Sequence, residues 1–138
     1  MRRFSTLFFA GIALAAVAGF MQAADDKVAR GKYLVEEVSK CQDCHTPKAA
    51  DGSLDKTKWL KGATLDFAPT HEVEGWHKTS PDITGTCRVF QRWNEKGMID
   101  FLMTAKNPRG GKADAPMPDY HLNKEDAEAM VAYLKSLQ

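Results

Sequence analysis

The sequence predicts one all-α domain with about three main helices and a long central loop. Three segments place apolar residues at helical spacing, and the chain between them is rich in Pro, Gly and polar residues. No segment alternates between polar and apolar residues as a half-buried strand would. A length of 138 residues fits one domain, and three cysteines are too few for a disulfide-dense scaffold.

The first segment, residues 1–23, is predicted to be a secretory signal peptide. Two arginines open it, an uncharged apolar run (7–21) follows, and cleavage is expected after Ala23 or Ala24. The run is shorter than the roughly 18 residues of a membrane span, so an uncleaved anchor is the less favoured alternative. We therefore expect a mature domain of residues 24–138 in the periplasm, without a stable membrane span.

The net charge argues against a nucleic-acid partner. The chain has 19 Lys+Arg and 18 Asp+Glu, a formal charge of +1, and loss of Arg2 and Arg3 with the signal peptide makes it −1. A balance this even leaves no broad basic field for nucleic acid.

The first helix is predicted over residues 26–40. Gly31 lies inside this helix, where glycine is unfavourable, so we expect a packing reason such as the close approach of another helix. The apolar stripe consists of Val28, Leu34, Val35 and Val38.

A long irregular region follows the first helix. Residues 41–55 are polar and turn-rich, and residues 56–86 carry prolines, glycines and several aromatic side chains. A loop of this length is usually functional, and its aromatic residues need something to cover.

Two further helices are predicted near the end of the sequence. Asn94 is expected to cap a helix over 95–106, and Asn123 a helix over 124–137. Residues 113–120 contain Pro116 and Pro118 and cannot be helical.

Residues 41–45 read CQDCH, the attachment signature of a c-type haem. Cys41 and Cys44 lie one turn apart and can form thioether bonds to the two vinyl groups of a porphyrin. His45 then lies where an imidazole nitrogen can bind the iron. A thioredoxin-like redox pair, a zinc finger completed by His71 and His77, and a plain disulfide are weaker alternatives.

An electron carrier needs a second iron ligand opposite the histidine. Met117, held between two prolines in a non-helical segment, is the favoured candidate, and His121 is the next. A methionine paired with a histidine would raise the reduction potential relative to two histidines. Among the remaining candidates, Met98, Met103 and Met130 have core-like spacing in predicted helices and are expected to pack in the core, and the others are His71 and His77.

From residue 26 to residue 138 the chain resembles the class I c-type cytochromes, small monohaem electron carriers of bacterial periplasms. The stretch ARGKYLVEEVSKCQDCHTP resembles the first helix of that family running into its haem site. The stretch PMPDYHLNKEDAEAMVAYLKSL resembles its methionine loop and last helix.

The resemblance implies the cytochrome c fold, with the helices wrapped around one covalently attached haem c. Carried over residue by residue, it implies haem attachment at Cys41 and Cys44 and iron ligation by His45 and Met117. It also places Gly31 at a crossing with the last helix, near Tyr133 and Leu134.

The predicted function is therefore electron transfer between redox protein partners, such as a periplasmic dehydrogenase and a terminal oxidase or reductase, by a monomer that is not itself an enzyme. Two alternatives remain open: a haem enzyme or gas-binding cytochrome with an open sixth position, and a cytochrome subunit of a dehydrogenase complex. Cys87 is left over, and we expect it to be a small buried side chain rather than half of an intermolecular disulfide.

Overall fold

The structure is a computed structural model, and it describes residues 24–138. Four helices and one small hairpin are present in this range, which confirms a predominantly helical fold. The predicted signal peptide lies outside the described residues. No helix within 24–138 combines the length and the apolar character that crossing a membrane requires.

The elements are α1 (24–33, continued by a π-helical turn Leu34–Val38), α2 (Cys41–His45), a 3₁₀ turn (Lys56–Lys58), β1 (Ala63–Thr64), β2 (Thr79–Ser80), α3 (Arg88–Thr104) and α4 (Lys124–Ser136).

Helix α1 ends in a wider turn than the sequence pattern predicts. The Ser39 N–H donates to the Leu34 carbonyl, five residues earlier, at 2.8 Å. This π-helical spacing changes the angular register of the last turn. As a result Leu34 and Val35 are buried, but Val38 is 57% exposed, and its assignment to the buried stripe is wrong.

The crossing of α1 and α4 explains the glycine inside the first helix. A Cβ atom on Gly31 would lie 1.9 Å from the Ala129 carbonyl oxygen and 2.8 Å from the Tyr133 Cβ atom. The predicted close approach near Tyr133 is therefore confirmed, with Ala129 as the nearest residue.

Helix α3 begins earlier than predicted because it consists of two helical pieces joined at Asn94. Asn94 has φ 55° and ψ 179°, and its side-chain oxygen accepts from the Gly97 N–H at 3.1 Å. Asn94 thus caps the second piece as predicted, while residues 88–93 form a helical piece that was missed. The first piece is capped by Cys87, whose sulfur accepts from the Phe90 N–H at 3.5 Å.

Helix α4 follows the sequence prediction closely. The Asn123 side chain accepts from the Asp126 N–H at 2.8 Å, which confirms the predicted N-cap. Ion pairs join α4 to α1, including Arg30 with Asp126 at 3.0 Å.

A two-stranded antiparallel sheet, absent from the sequence prediction, pairs β1 with β2. Each strand has only two residues, too few for an alternating pattern to be visible in the sequence. A connection of 14 residues joins the two strands. It contacts the segment that carries Met117, because the His77 N–H donates to the Ala115 carbonyl at 2.8 Å.

The buried core joins α3 and α4 to the end of α1. Its members are Leu34, Val35, Leu60, Cys87, Phe90, Met98, Phe101, Leu102, Ala127, Ala129, Met130, Val131, Tyr133 and Leu134. The two prolines at 116 and 118 keep residues 113–120 non-helical, as predicted.

Candidate haem site

The two cysteines of the CQDCH motif lie on the short helix α2. Lys40 precedes this helix with a left-handed backbone (φ 51°), which turns the chain sharply after the π-helical turn. Residues three apart on a helix share one face, so Cys41 and Cys44 are neighbours there. The structure does not join them in the disulfide considered as an alternative.

Gln42, between the two cysteines, ties α2 to the end of α1. Its side-chain nitrogen donates to the Glu36 carbonyl at 2.7 Å, and the side chain is buried. This bond uses a carbonyl at the end of a helix, where such groups lack intrahelical partners. The residue therefore helps to hold the cysteine pair in place, a role that the motif alone does not reveal.

His45 is buried and held through one ring nitrogen. Its Nδ1 lies 2.8 Å from the Pro81 carbonyl oxygen, which can only accept, so Nδ1 carries the proton. A second partner of this kind orients a metal-binding imidazole and leaves the lone pair of Nε2 available. Burial lowers the pKa of His45, which favours the neutral form that binds metal, although the bond to Pro81 acts in the opposite direction.

The hairpin supports α2 from the other side. The Ser80 hydroxyl donates to the Cys44 carbonyl at 2.5 Å, and the Gly62 N–H donates to the His45 carbonyl at 2.8 Å. These bonds fix the backbone of the motif against β1 and β2.

A cavity of about 400 Å³ opens beside α2. Cys41, Cys44, His45 and Met117 all line it, so the structure brings together the four residues predicted for the site. Apolar side chains from α3, α4 and the central loop make up much of the remaining wall, including Ile83, Val89, Trp93, Phe101, Leu102 and Leu134.

The predicted candidates for the second iron ligand fall into two groups, those that line the cavity and those that do not. Met98, Met117, Met130 and His77 line it, whereas Met103, His71 and His121 do not. Met98 and Met130 are also buried core residues of α3 and α4, in agreement with their predicted packing role. Met117 is half-buried and belongs to the non-helical segment.

The residues fit a haem better than the alternative cofactors. The volume lies in the range of cofactor pockets, and the wall combines mostly apolar side chains with a few polar groups. Within residues 24–138, no three His, Cys, Asp or Glu side chains gather into a metal-binding cluster.

Comparison with known proteins gives the family. The family model described as Cytochrome c matches residues 28–138. The chain belongs to the cytochrome c family. It therefore carries covalently bound haem c, and Cys41 and Cys44 lie in the Cys-x-x-Cys-His region of this cytochrome c domain.

The cytochrome is similar to longer curated proteins. It is 34% identical over 111 residues to a diheme cytochrome c-type protein of Cereibacter sphaeroides, covering 77% of this chain and 34% of that protein. It is 32% identical over 152 residues to the gluconate 2-dehydrogenase cytochrome c subunit of Pantoea cypripedii, covering 98% and 32%. It is 29% identical over 119 residues to the cytochrome c subunit of the quinone-dependent alcohol dehydrogenase of Gluconobacter oxydans, covering 82% and 24%. The cytochrome thus spans about a third or less of these relatives.

The third cysteine of the cytochrome, Cys87, lies apart from the cavity wall. It is 6% exposed and packs in the core, as predicted, and it also caps α3. Capping by a thiol was not anticipated because Ser, Thr, Asp and Asn are the usual N-cap residues.

Tyr120 belongs to the site, although it was not predicted from the sequence. Its ring lines the cavity, and its hydroxyl donates to the Ser39 carbonyl at 3.3 Å. Burial raises the pKa of Tyr120, while its hydrogen bond to Ser39 acts in the opposite direction. The available signal was an aromatic residue three positions after Met117.

Proposed function

We propose that this cytochrome transfers single electrons between redox proteins. In this proposal Cys41 and Cys44 form the thioether bonds to one haem c, and His45 and Met117 are the two iron ligands. The observation that carries the proposal is the convergence of these four residues on one cavity of about 400 Å³ with a largely apolar wall.

The surrounding chain prepares both ligands. The Pro81 carbonyl holds the His45 ring in the tautomer whose Nε2 can bind iron. The Met117 N–H donates to the Asp114 carbonyl at 3.1 Å, which forms a turn that holds the methionine segment. One-electron oxidation and reduction is the chemistry that a haem supplies when bound, and a Met/His ligand pair raises its potential.

Electron transfer of this kind requires no general base and no nucleophile from the protein, so the proposed role is that of a carrier and not of an enzyme. The proposed compartment is the periplasm, supported by the signal-peptide pattern of residues 1–23. The proposed form is a monomer that meets its redox partners transiently.

The relatives favour a second candidate. Two of them are named as cytochrome subunits of dehydrogenases, and the match covers 98% of this chain in one case. A role as the cytochrome subunit of a dehydrogenase complex would use the same haem site. Co-purification of a dehydrogenase with the cytochrome at a fixed ratio would favour this candidate over a free carrier.

The test compares carbon monoxide binding to the ferrous holoprotein with that of Met117→Ala. An occupied sixth position should make wild-type binding slow, and Met117→Ala should make it fast. Met103→Ala is the matched control, because Met103 lies outside the cavity wall and should leave binding slow. Fast binding by the wild-type protein would contradict the proposal and favour a gas-binding or peroxidatic cytochrome with an open position.

A further inference from the structure

The segment that carries Met117 has no regular secondary structure of its own. Residues 113–120 lie between α3 and α4 and contain no helix or strand. A segment without a hydrogen-bond ladder opens at low free-energy cost unless other parts of the molecule hold it. The contacts that hold it therefore determine how often Met117 leaves its place.

Several contacts tie this segment to other parts of the cavity wall. Ahead of Met117, the Ala115 carbonyl accepts from the His77 N–H at 2.8 Å. After Met117, the Tyr120 hydroxyl donates to the Ser39 carbonyl at 3.3 Å. The first contact joins two backbone groups, whereas the Tyr120 contact depends on a side chain. The contacts of Asp114 with His77 at 3.4 Å and of Asp119 with Lys112 also depend on side chains, but those side chains are largely exposed, where ion pairs contribute little. The Tyr120 hydrogen bond is therefore the partly buried side-chain contact that a substitution can remove.

The Tyr120 contact links the two ligand-bearing parts of the chain. Ser39 lies two residues before Cys41, and both Ser39 and Tyr120 line the cavity. The ring also packs against the core, so its hydroxyl is directed by packing as well as by the hydrogen bond. Removal of the hydroxyl alone would leave the ring in place and cut the link.

We propose that Tyr120 is a positioning residue whose hydroxyl holds the Met117 segment against the chain that enters the CQDCH motif. This inference rests on the proposed role of Met117 as an iron ligand. The hydrogen bond keeps the segment closed and so limits access to the sixth position. Its loss should raise the population of the open segment about fivefold, the usual effect of one such bond.

Tyr133 provides a matched control within the same fold. Its hydroxyl donates to the Glu36 side chain and joins α4 to the end of α1, but Tyr133 does not line the cavity. Tyr120→Phe and Tyr133→Phe therefore each delete one hydroxyl together with its tertiary hydrogen bonding. Only the first should change the behaviour of Met117.

The experiment uses haem-loaded wild-type protein, Tyr120→Phe, Tyr133→Phe and Met117→Ala. It measures carbon monoxide association with the ferrous protein, the far-red absorbance band of methionine-ligated ferric haem, and the unfolding temperature. We expect Tyr120→Phe to bind carbon monoxide about fivefold faster than wild type, with a weaker far-red band. Tyr133→Phe should match wild type in both ligand measurements while losing thermal stability.

The outcomes test the positioning role of Tyr120 separately from the ligand role of Met117. Equal association rates in Tyr120→Phe and Tyr133→Phe, with fast binding in Met117→Ala, would overturn the positioning role alone. A far-red band that persists in Met117→Ala would overturn the ligand assignment, and the inference with it.

Discussion

Gly31 of α1 packs directly on the backbone of α4 at Ala129, and a Cβ atom there would lie 1.9 Å from the Ala129 carbonyl oxygen. The obstacle is backbone, which cannot move aside as a flexible side chain could. The same crossing brings α1, and with it the start of the CQDCH motif, into a defined position relative to α4. The geometry of the haem site therefore depends on a residue outside it.

We predict that Gly31→Ala lowers the free energy of unfolding by roughly 3 kcal/mol, because the helices must separate to admit the methyl group. This outweighs the gain of about 1 kcal/mol that alanine offers over glycine inside a helix. Guanidinium denaturation of the haem-loaded protein measures the change. Gly111→Ala is the control, because its methyl group meets only the Asn107 side chain at 3.2 Å, and its effect should stay below about 1 kcal/mol. A more stable Gly31→Ala protein would show that the helices do not cross this closely.

The ion pair of Arg30 and Asp126 predicts part of the acid sensitivity of the fold. The hydrogen bond from Arg30 holds the pKa of Asp126 below its usual value of 3.8. A carboxyl group with a lowered pKa in the folded state stabilises that state above its unfolded pKa and loses the effect as the pH falls. The contribution should therefore be complete above about pH 5 and decline below about pH 4.

Asp126→Asn should consequently make unfolding less dependent on pH below about pH 4 than in the wild type. Thermal unfolding across a pH series measures this. Glu125→Gln removes the same charge from the same helical turn without removing the partner of Arg30. Its unfolding temperature should therefore fall below about pH 4 as steeply as that of the wild type. If both variants reduce the pH dependence of unfolding equally, the effect comes from the charge near the helix N-terminus and not from the ion pair.

Cys87 should behave as the one remaining thiol of the holoprotein, shielded in the native state. It is 6% exposed and caps α3 through its sulfur. A thiol reagent should find no reactive thiol in the native holoprotein and one per chain after denaturation, because the proposed thioether bonds use the other two. A disulfide-linked dimer on a non-reducing gel of the native protein would contradict this.

Helix positions were predictable where the local signals are complete. Asn123 and the apolar spacing after it predict α4 almost to the residue, and Asn94 predicts the cap of the second piece of α3. The first piece of α3 was missed because its cap is Cys87, a residue type with no strong preference for that position. The π-helical turn after Tyr33 was missed because no residue pattern distinguishes five-residue from four-residue hydrogen bonding.

The haem site was predictable in its chemistry but not in its surroundings. The spacing of Cys41, Cys44 and His45 is a local property, so the motif reveals it. The contacts of Pro81 with His45 and of Tyr120 with Ser39 join residues 36 and 81 positions apart. Such partners come from the tertiary fold and leave no mark on sequence periodicity.

The central claim is that Met117, and neither of the other two methionines on the cavity wall, is the iron ligand. The most direct measurement is the proton NMR spectrum of the ferrous holoprotein with labelled methionine methyl groups, because the porphyrin ring current shifts the methyl of an iron-bound methionine far upfield. We expect one such signal in the wild type, absent from Met117→Ala and retained in Met98→Ala and Met130→Ala. A signal that survives in Met117→Ala, or a wild-type spectrum without one, would contradict it.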